Sequence, residues 1–191
     1  MTTAVLWLYL LNFLAIGLLP VIFFRKGGAL NMRWWATAFP FVVVPALLIA
    51  SWLGKIEPLQ APTAAVAAGL ELAGVTLSAA SITLIAWTRG IHRIPLALWH
   101  QGNDAPQKLI TEGPYAHVRH PFYLAFLLAL LGAALVCPHP GVWAVFLYSA
   151  VILNATAAKE ERKLLASAFG KEYERYIRRS GRFLPKWTSG A

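Results

Sequence analysis

Two short polar clusters carry the residues that could do chemistry in this chain. Residues 112–123 read EGPYAHVRHPFY and stand directly before an apolar run, and Lys159, Glu160 and Glu161 directly follow another. Carboxylate, imidazole, guanidinium and phenol groups can bind the charged parts of a ligand and exchange protons. Because such groups are costly beside hydrocarbon, their position at the ends of apolar segments indicates either a site or anchoring at a membrane interface.

Other kinds of site find less support. His117 and His120 are three residues apart, but neither an H-E-x-x-H motif nor a cysteine pair accompanies them, so we predict no metal. The chain has a single cysteine, Cys137, which cannot form an internal disulfide. There is no plausible Ser or Cys nucleophile with its base and no glycine-rich phosphate loop. The competing interpretation is anchoring, with Arg and His side chains reaching the headgroups and Tyr in the aromatic belt.

The composition predicts an all-α integral membrane protein. Of the 191 residues, 58% are hydrophobic and only 13% are charged, whereas soluble domains are about 25% charged. Five apolar runs predict five transmembrane helices, at about 3–24, 34–54, 61–88, 120–136 and 142–158. We expect one membrane domain over 1–191, with three helices in 1–88 and the functional half in 89–191.

The positive charges predict the orientation. Of the 17 Lys and Arg residues, all except Lys55 lie on the same side of the five predicted spans. The positive-inside rule places that side, with the C-terminus, in the cytoplasm and the N-terminus outside. The net charge of +9 therefore indicates contact with anionic membrane lipids and not with nucleic acid.

Two connections should bring the polar clusters together. Residues 137–141, CPHPG, predict a tight turn between the fourth and fifth helices, which makes the other ends of these helices neighbours. Residues 89–119 form a long polar loop, of a length that usually has a function. After the fifth run, apolar residues at helical spacing predict one amphipathic helix that begins with the second cluster and carries a single stripe: Leu165, Phe169, Tyr173 and Tyr176.

The order of several motifs resembles the isoprenylcysteine carboxyl methyltransferase family and the related phospholipid methyltransferases. The motifs are Arg-His-Pro-x-Tyr at 119–123, Glu-Glu at 160–161, Phe-Gly-x-x-Tyr-x-x-Tyr at 169–176 and Arg-Phe-Leu-Pro at 182–185. The resemblance covers about residues 98–186. It implies a membrane methyltransferase that uses S-adenosylmethionine, releases S-adenosylhomocysteine and binds the cofactor on the cytoplasmic side.

The resemblance also implies particular contacts. Carried over by position, the cofactor residues are His100 or Gln101, Gln107, Lys108, Leu109, Ile110, Tyr115, His120, Pro121, Phe122, Tyr123 and Glu160. Glu160 can accept hydrogen bonds from an ammonium or ribose group, and His120 can bond a carboxylate. Arg119 is the candidate for holding an anionic substrate group, and His117, Glu161 or a tyrosine would be the base if one is needed.

One substrate position departs from the family pattern. Members that act on prenylcysteine are expected to have arginine where this chain has Thr156. We therefore expect a lipophilic acceptor that enters from the bilayer, with a carboxylate favoured because it needs no base, and the acceptor itself is not identified. The alternatives are a membrane sterol or steroid reductase that uses NADPH, which would resemble the same half of the chain, and a non-catalytic membrane scaffold.

Overall fold

The computed structural model describes residues 1–17, 38–91 and 109–186, and the backbone of residues 25–26 and 29–30. Its main elements are α1 (Thr3–Gly17), α2 (Pro40–Trp52), α3 (Ala64–Ile91), α4 (Pro121–Val136), α5 (Pro140–Leu165) and α6 (Gly170–Arg179). A 3-10 helix spans Gly113–Ala116. Two short antiparallel strands, β1 (Arg25–Lys26) and β2 (Ala29–Leu30), pair Arg25 with Leu30.

Five of these helices, α1 to α5, coincide with the five apolar runs. Three of them, α2, α4 and α5, begin at a proline, which suits a first helical turn because its amide has no partner within the helix. Among the described residues, α3 and α5 are long and apolar enough to cross a membrane. The other three have 15, 13 and 16 residues, and the predicted first and second runs extend into residues outside the described ranges.

The fifth helix differs from the prediction at its polar end. The Lys159–Glu161 cluster does not begin a separate amphipathic helix, because α5 continues through it to Leu165. The break comes later, where the Ser167 hydroxyl donates to the Leu164 carbonyl at 2.7 Å and accepts from the Phe169 amide at 3.2 Å. Helix α6 begins only at Gly170.

The break also changes the predicted apolar stripe. Tyr173 and Tyr176 are buried as predicted, but Leu165 is 42% exposed and Leu164 is buried instead. The prediction of one continuous stripe was wrong because the turn at residues 166–169 resets the helical phase between α5 and α6.

One of the two compact units of the chain comprises Met1–Ile82 and Ala125–Ile152. Several of its buried polar side chains are neutral and hydrogen-bonded. The Tyr9 hydroxyl donates to the Gly74 carbonyl at 2.7 Å. The Asn12 amide donates to the Ser78 hydroxyl at 2.9 Å and accepts from the Ser81 hydroxyl at 3.3 Å, and all three side chains are buried. The Tyr9 and Asn12 bonds join α1 to α3.

Within this unit α3 and α4 approach closely at a pair of glycines. A Cβ atom at Gly74 would lie 2.8 Å from the Gly132 carbonyl oxygen, and one at Gly132 would lie 2.8 Å from the Gly74 carbonyl oxygen. Both distances are below normal contact, so each position requires the absence of a side chain. Small residues at helix interfaces permit this approach in membrane proteins.

The other compact unit comprises Thr83–Leu124 and Leu153–Ala191. The segment after α6 returns to the loop before α4, where Val118 and Gly181 form a parallel bridge. The Arg119 amide donates to the Gly181 carbonyl at 2.8 Å, and the His120 amide donates to the Arg182 carbonyl at 3.2 Å. This backbone pairing fixes the loop that carries the first polar cluster.

Candidate functional site

The chain enters the first cluster through a turn that depends on glycine. Gly113 has φ of 58°, a left-handed conformation that residues with a side chain avoid. A Cβ atom there would also collide with Ile91. Beyond the turn, the Tyr176 hydroxyl donates to the Tyr115 carbonyl at 2.6 Å. Gly113 thus makes the turn into the cluster, and α6 holds the backbone that follows it.

The two polar clusters are in direct contact, as the hairpin argument predicted. The Tyr123 hydroxyl donates to Glu160 Oε1 at 2.8 Å. The His120 ring lies between the two carboxyl groups, with Nδ1 at 3.5 Å from Glu160 Oε2 and Nε2 at 3.3 Å from Glu161 Oε1. Arg119 Nε donates to the same Glu161 oxygen at 2.9 Å. The first turns of α4 and the last turns of α5 therefore position one group of interacting side chains.

A second arginine, which the sequence analysis did not select, completes this group. Arg182 Nη2 donates to Glu161 Oε2 at 2.6 Å, and its Nε donates to Oε1 at 3.2 Å. Its Nη1 donates to Asn154 Oδ1 at 2.7 Å. The only signal was the Arg-Phe-Leu-Pro motif, which gives no indication that residue 182 returns to α5.

The adjacent glutamates lie beyond the apolar stretch of α5 and have opposite electrostatic environments. Both are buried, at 5% and 6% exposure for Glu160 and Glu161. Hydrogen bonds from His120, Arg182 and Arg119 outweigh burial and hold the pKa of Glu161 below its usual range. Burial dominates at Glu160 and raises its pKa to about 8, although the Tyr123 hydrogen bond and the charge of Lys163 oppose the increase. Glu161 is therefore a carboxylate at neutral pH, whereas Glu160 holds a proton.

The imidazole between them is held neutral. Burial lowers the pKa of His120 more than the hydrogen bond to Glu161 raises it, and the charges of Arg119 and Arg182 lower it further. The ring stacks on Tyr123 with centroids 5.4 Å apart and planes 3° from parallel. Burial likewise raises the pKa of Tyr115, so this buried phenol is uncharged.

The remaining predicted residues differ in burial, and some lie outside the described residues. Tyr115 and Pro121 are buried, while Leu109, Ile110 and Phe122 are half-buried. Thr156 is half-buried on α5, one helical turn before Glu160 and therefore on the same face. His100, Gln101, Gln107 and Lys108 lie outside the described residues. His117 is exposed.

Arg119 and Glu161 are each committed to other side chains. The Arg119 side chain is 7% exposed, and besides Glu161 it donates through Nη1 to the Ser180 carbonyl. Glu161 accepts from two arginines and faces His120. Glu160 is also buried, but unlike Glu161 its described contacts include no arginine. They are with Tyr123 and His120.

Comparison with known proteins identifies the family. A family model described as phospholipid methyltransferase matches residues 70–172, more than half of the chain. The cobalt-zinc-cadmium resistance protein CzcN of Cupriavidus metallidurans is 36% identical over 96 residues, which cover 50% of this chain and 44% of that protein. The nickel-cobalt-cadmium resistance protein NccN of Alcaligenes xylosoxydans xylosoxydans is 25% identical over 145 residues, 76% of this chain and 62% of that protein.

These relatives add little about chemistry. The chain spans less than two thirds of the length of either one, and their names refer to metal resistance and specify no reaction. The family match, in contrast, covers α4, α5 and both polar clusters. On this match, the chain belongs to the phospholipid methyltransferase family of membrane methyltransferases.

Proposed function

We propose that this protein transfers a methyl group from S-adenosylmethionine to a lipophilic acceptor at the membrane, and that the acceptor atom is a carboxylate oxygen. The observation that carries the proposal is the buried Glu160 carboxyl group, which accepts the Tyr123 hydroxyl at 2.8 Å beside the His120 ring. These side chains lie in the region matched by the methyltransferase family.

The residues at this site fit the cofactor in type. When bound, S-adenosylmethionine supplies an electrophilic methyl group on a sulfonium sulfur, and breaking of the carbon–sulfur bond leaves S-adenosylhomocysteine. Glu160 can accept hydrogen bonds from its ammonium or ribose, and the stacked rings of His120 and Tyr123 offer an aromatic surface. Burial of these groups strengthens every charge interaction there, since water is largely excluded.

We expect the methyl acceptor to bind beside Thr156 and the apolar helices. Thr156 shares the face of Glu160, so a substrate that contacts it would lie next to the cofactor contacts. A carboxylate acceptor needs no base, and the protein would contribute orientation and exclusion of water. The commitment of Glu161 to two arginines supports a role for Glu161 in holding Arg119 and His120, in place of a role as base.

We further propose that the five apolar runs all cross the membrane, the fifth ending at about residue 158, before the two glutamates, and that the site faces the cytoplasm. The length and composition of α3 and α5 support two of these spans. The positive-inside asymmetry of the Lys and Arg residues supports the orientation.

Binding of S-adenosylmethionine to the purified full-length protein in detergent tests the proposal. We expect micromolar affinity by calorimetry and a loss of about tenfold or more in Glu160→Gln, as for removal of a hydrogen bond to a charged group. The matched control is Glu174→Gln, because Glu174 is 63% exposed in a surface pair with Arg178, and it should bind like wild type.

Two other outcomes would replace the proposal. Thermal stabilisation by NADPH and not by S-adenosylmethionine would indicate a reductase. Absence of any response to either cofactor, with Glu160→Gln behaving as wild type in cells, would indicate a scaffold.

A further inference from the structure

The two adjacent carboxyl groups of α5 are compensated very differently. Glu161 has two guanidinium partners, at 2.9 Å from Arg119 and 2.6 Å from Arg182. The described contacts of Glu160 are a phenol and an imidazole, at 2.8 and 3.5 Å. An ionised carboxylate is costly to bury unless it is paired, so this arrangement favours the ionised form of Glu161 and the protonated form of Glu160.

These protonation states fix the hydrogen bonds of the cluster. Because ionised Glu161 can only accept, His120 Nε2 carries the hydrogen that points to it across 3.3 Å. His120 Nδ1 is then a lone pair and faces Glu160 Oε2 at 3.5 Å, where the proton of Glu160 can be donated to it. The hydrogen bonds of the cluster thus assign neutral His120 the tautomer with its hydrogen on Nε2. It leaves Glu160 and His120 as a neutral pair whose facing atoms are 3.5 Å apart, close enough for one proton to move between them after a small approach.

We propose that the Glu160–His120 pair recognises the zwitterionic amino acid head of its ligand by moving that proton from the carboxyl group to the imidazole. The transfer breaks the Glu160 O–H bond and forms His120 Nδ1–H, with no net proton gained or lost. It creates a carboxylate that can accept from an ammonium group, and an imidazolium whose two N–H groups still face Glu160 and Glu161, so that its positive charge, and not a hydrogen bond, favours a nearby ligand carboxylate. The inference rests on the proposed function, since the ligand is the head of an adenosyl sulfur compound.

The rest of the cluster makes the transfer possible. Ionised Glu161, already turned toward Nε2, stabilises the imidazolium in the way that a buried carboxylate supports a charged histidine. Tyr123 continues to donate to Glu160 when it becomes a carboxylate. Other charged or titratable groups act on the pair from the surrounding elements: Tyr115, Arg119, Lys163, Tyr173 and Arg182.

A zwitterion is favoured over a ligand with one charge. A lone cation would stabilise the Glu160 carboxylate but would be repelled by the imidazolium, so the proton would have to leave the site. A lone anion would stabilise the imidazolium but would be repelled by the Glu160 carboxylate. A nucleoside without the amino acid head would leave the pair neutral, because it offers no charge to either member.

Nitrogen-15 NMR of histidine-labelled protein in detergent at pH 7 tests the transfer directly. Of the five histidines, the His120 signals are assigned by their loss in His120→Gln. We expect a neutral ring in the ligand-free protein and an imidazolium with saturating S-adenosylhomocysteine. Methylthioadenosine, which keeps the nucleoside and the thioether but lacks the amino acid head, should leave the ring neutral.

Calorimetry of the wild-type protein in two buffers of different ionisation enthalpy provides a test without any variant. Binding of S-adenosylhomocysteine at pH 7 should exchange close to zero protons with the buffer. Release of about one proton, or a His120 ring that stays neutral with ligand bound, would overturn the inference and leave the proposed function intact. Failure of both adenosyl compounds to bind would overturn the proposed function and the inference with it.

Discussion

The two compact units bury polar groups by different means. In the unit formed by Met1–Ile82 and Ala125–Ile152, the buried Asn12, Ser78 and Ser81 are neutral and hydrogen-bond one another across helices. In the unit formed by Thr83–Leu124 and Leu153–Ala191, the buried Glu161 is ionised between two arginines. The first arrangement joins helices, whereas the second holds charged groups at the candidate site.

The difference indicates which buried polar contacts contribute most to stability. A neutral hydrogen bond between membrane helices is worth about 0.6 kcal/mol on average, because alternative partners exist. Breaking a buried ion pair by removing one partner costs about 3–5 kcal/mol, because the remaining charge is left uncompensated. Substitutions in the charged unit should therefore have the larger effects.

The largest effect is expected for Glu161→Gln. The substitution leaves the guanidinium groups of Arg119 and Arg182 without their shared carboxylate, so the free energy of unfolding should fall by about 3–5 kcal/mol. Denaturation in detergent, followed by circular dichroism, measures it. Glu174→Gln removes an exposed carboxylate of the same kind and should change stability by less than about 0.5 kcal/mol. Equal effects of the two substitutions would mean that the buried cluster does not stabilise the fold.

The next effect concerns helix packing in the neutral unit. Gly74→Ala places a Cβ atom against the Gly132 carbonyl and should destabilise the protein by about 1–3 kcal/mol. Gly69→Ala, also in α3, meets nothing within 4 Å and should stabilise it by about 0.5–1 kcal/mol through helix propensity. Thermal unfolding of the two variants compares them in one helix. A stabilised Gly74→Ala protein would contradict the close approach of α3 and α4.

A smaller effect should appear in the pH dependence of stability. The pKa of Glu160 is about 8 when folded and about 4.3 when unfolded, so between pH 7 and 9 only the folded state loses this proton. Stability should therefore decrease by about 1 kcal/mol as pH rises through that window. Burial lowers the pKa of His120 in the folded state, whereas an unfolded histidine has a pKa of about 6.5 and is mostly neutral above pH 7, so this ring adds only a small rise in stability near pH 7.

The matched measurement for this prediction is the difference between wild type and Glu160→Gln. Subtracting the two pH profiles removes the contributions of all other titrating groups. The difference should decline from pH 7 to 9, and a flat difference would show that Glu160 is already ionised at neutral pH.

The smallest effect is expected for Asn12→Ala. The loss of bonds to Ser78 and Ser81 should reduce stability by about 1 kcal/mol or less, since both serine hydroxyls can bond to carbonyls of their own helix. Thr76→Ala is the control, because the Thr76 hydroxyl already bonds within α3, to the Leu72 carbonyl. A loss as large as that of Glu161→Gln would remove the distinction between the two units.

The sequence predicted those features that depend on neighbouring residues. The fourth apolar run forms α4, and a turn follows it where predicted, because apolar runs and proline placement act locally; the turn is shorter than the predicted 137–141, since α5 already begins at Pro140. The contact between the two polar clusters also followed, since a short hairpin brings helix ends together, but the particular pairing of Glu161 with Arg119 was not predicted. The contact of Arg182 with Glu161 did not follow, because it depends on a chain return with no periodic signal. The burial of Leu164 in place of Leu165 was not predicted, because α5 ends near Ser167, whose hydroxyl bonds to the Leu164 carbonyl, within a segment that the sequence presents as one helix.

The most direct test of the central claim is methyl transfer itself. Membranes containing the protein are incubated with methyl-labelled S-adenosylmethionine, and label is measured in the lipid extract for wild type, Glu160→Gln and Glu174→Gln. We predict labelled lipophilic product with wild type and Glu174→Gln, loss of most of it with Glu160→Gln, and release of the label by mild alkali, as expected for a methyl ester. Label stable to alkali would contradict the carboxylate acceptor, and equal labelling by Glu160→Gln would contradict the site.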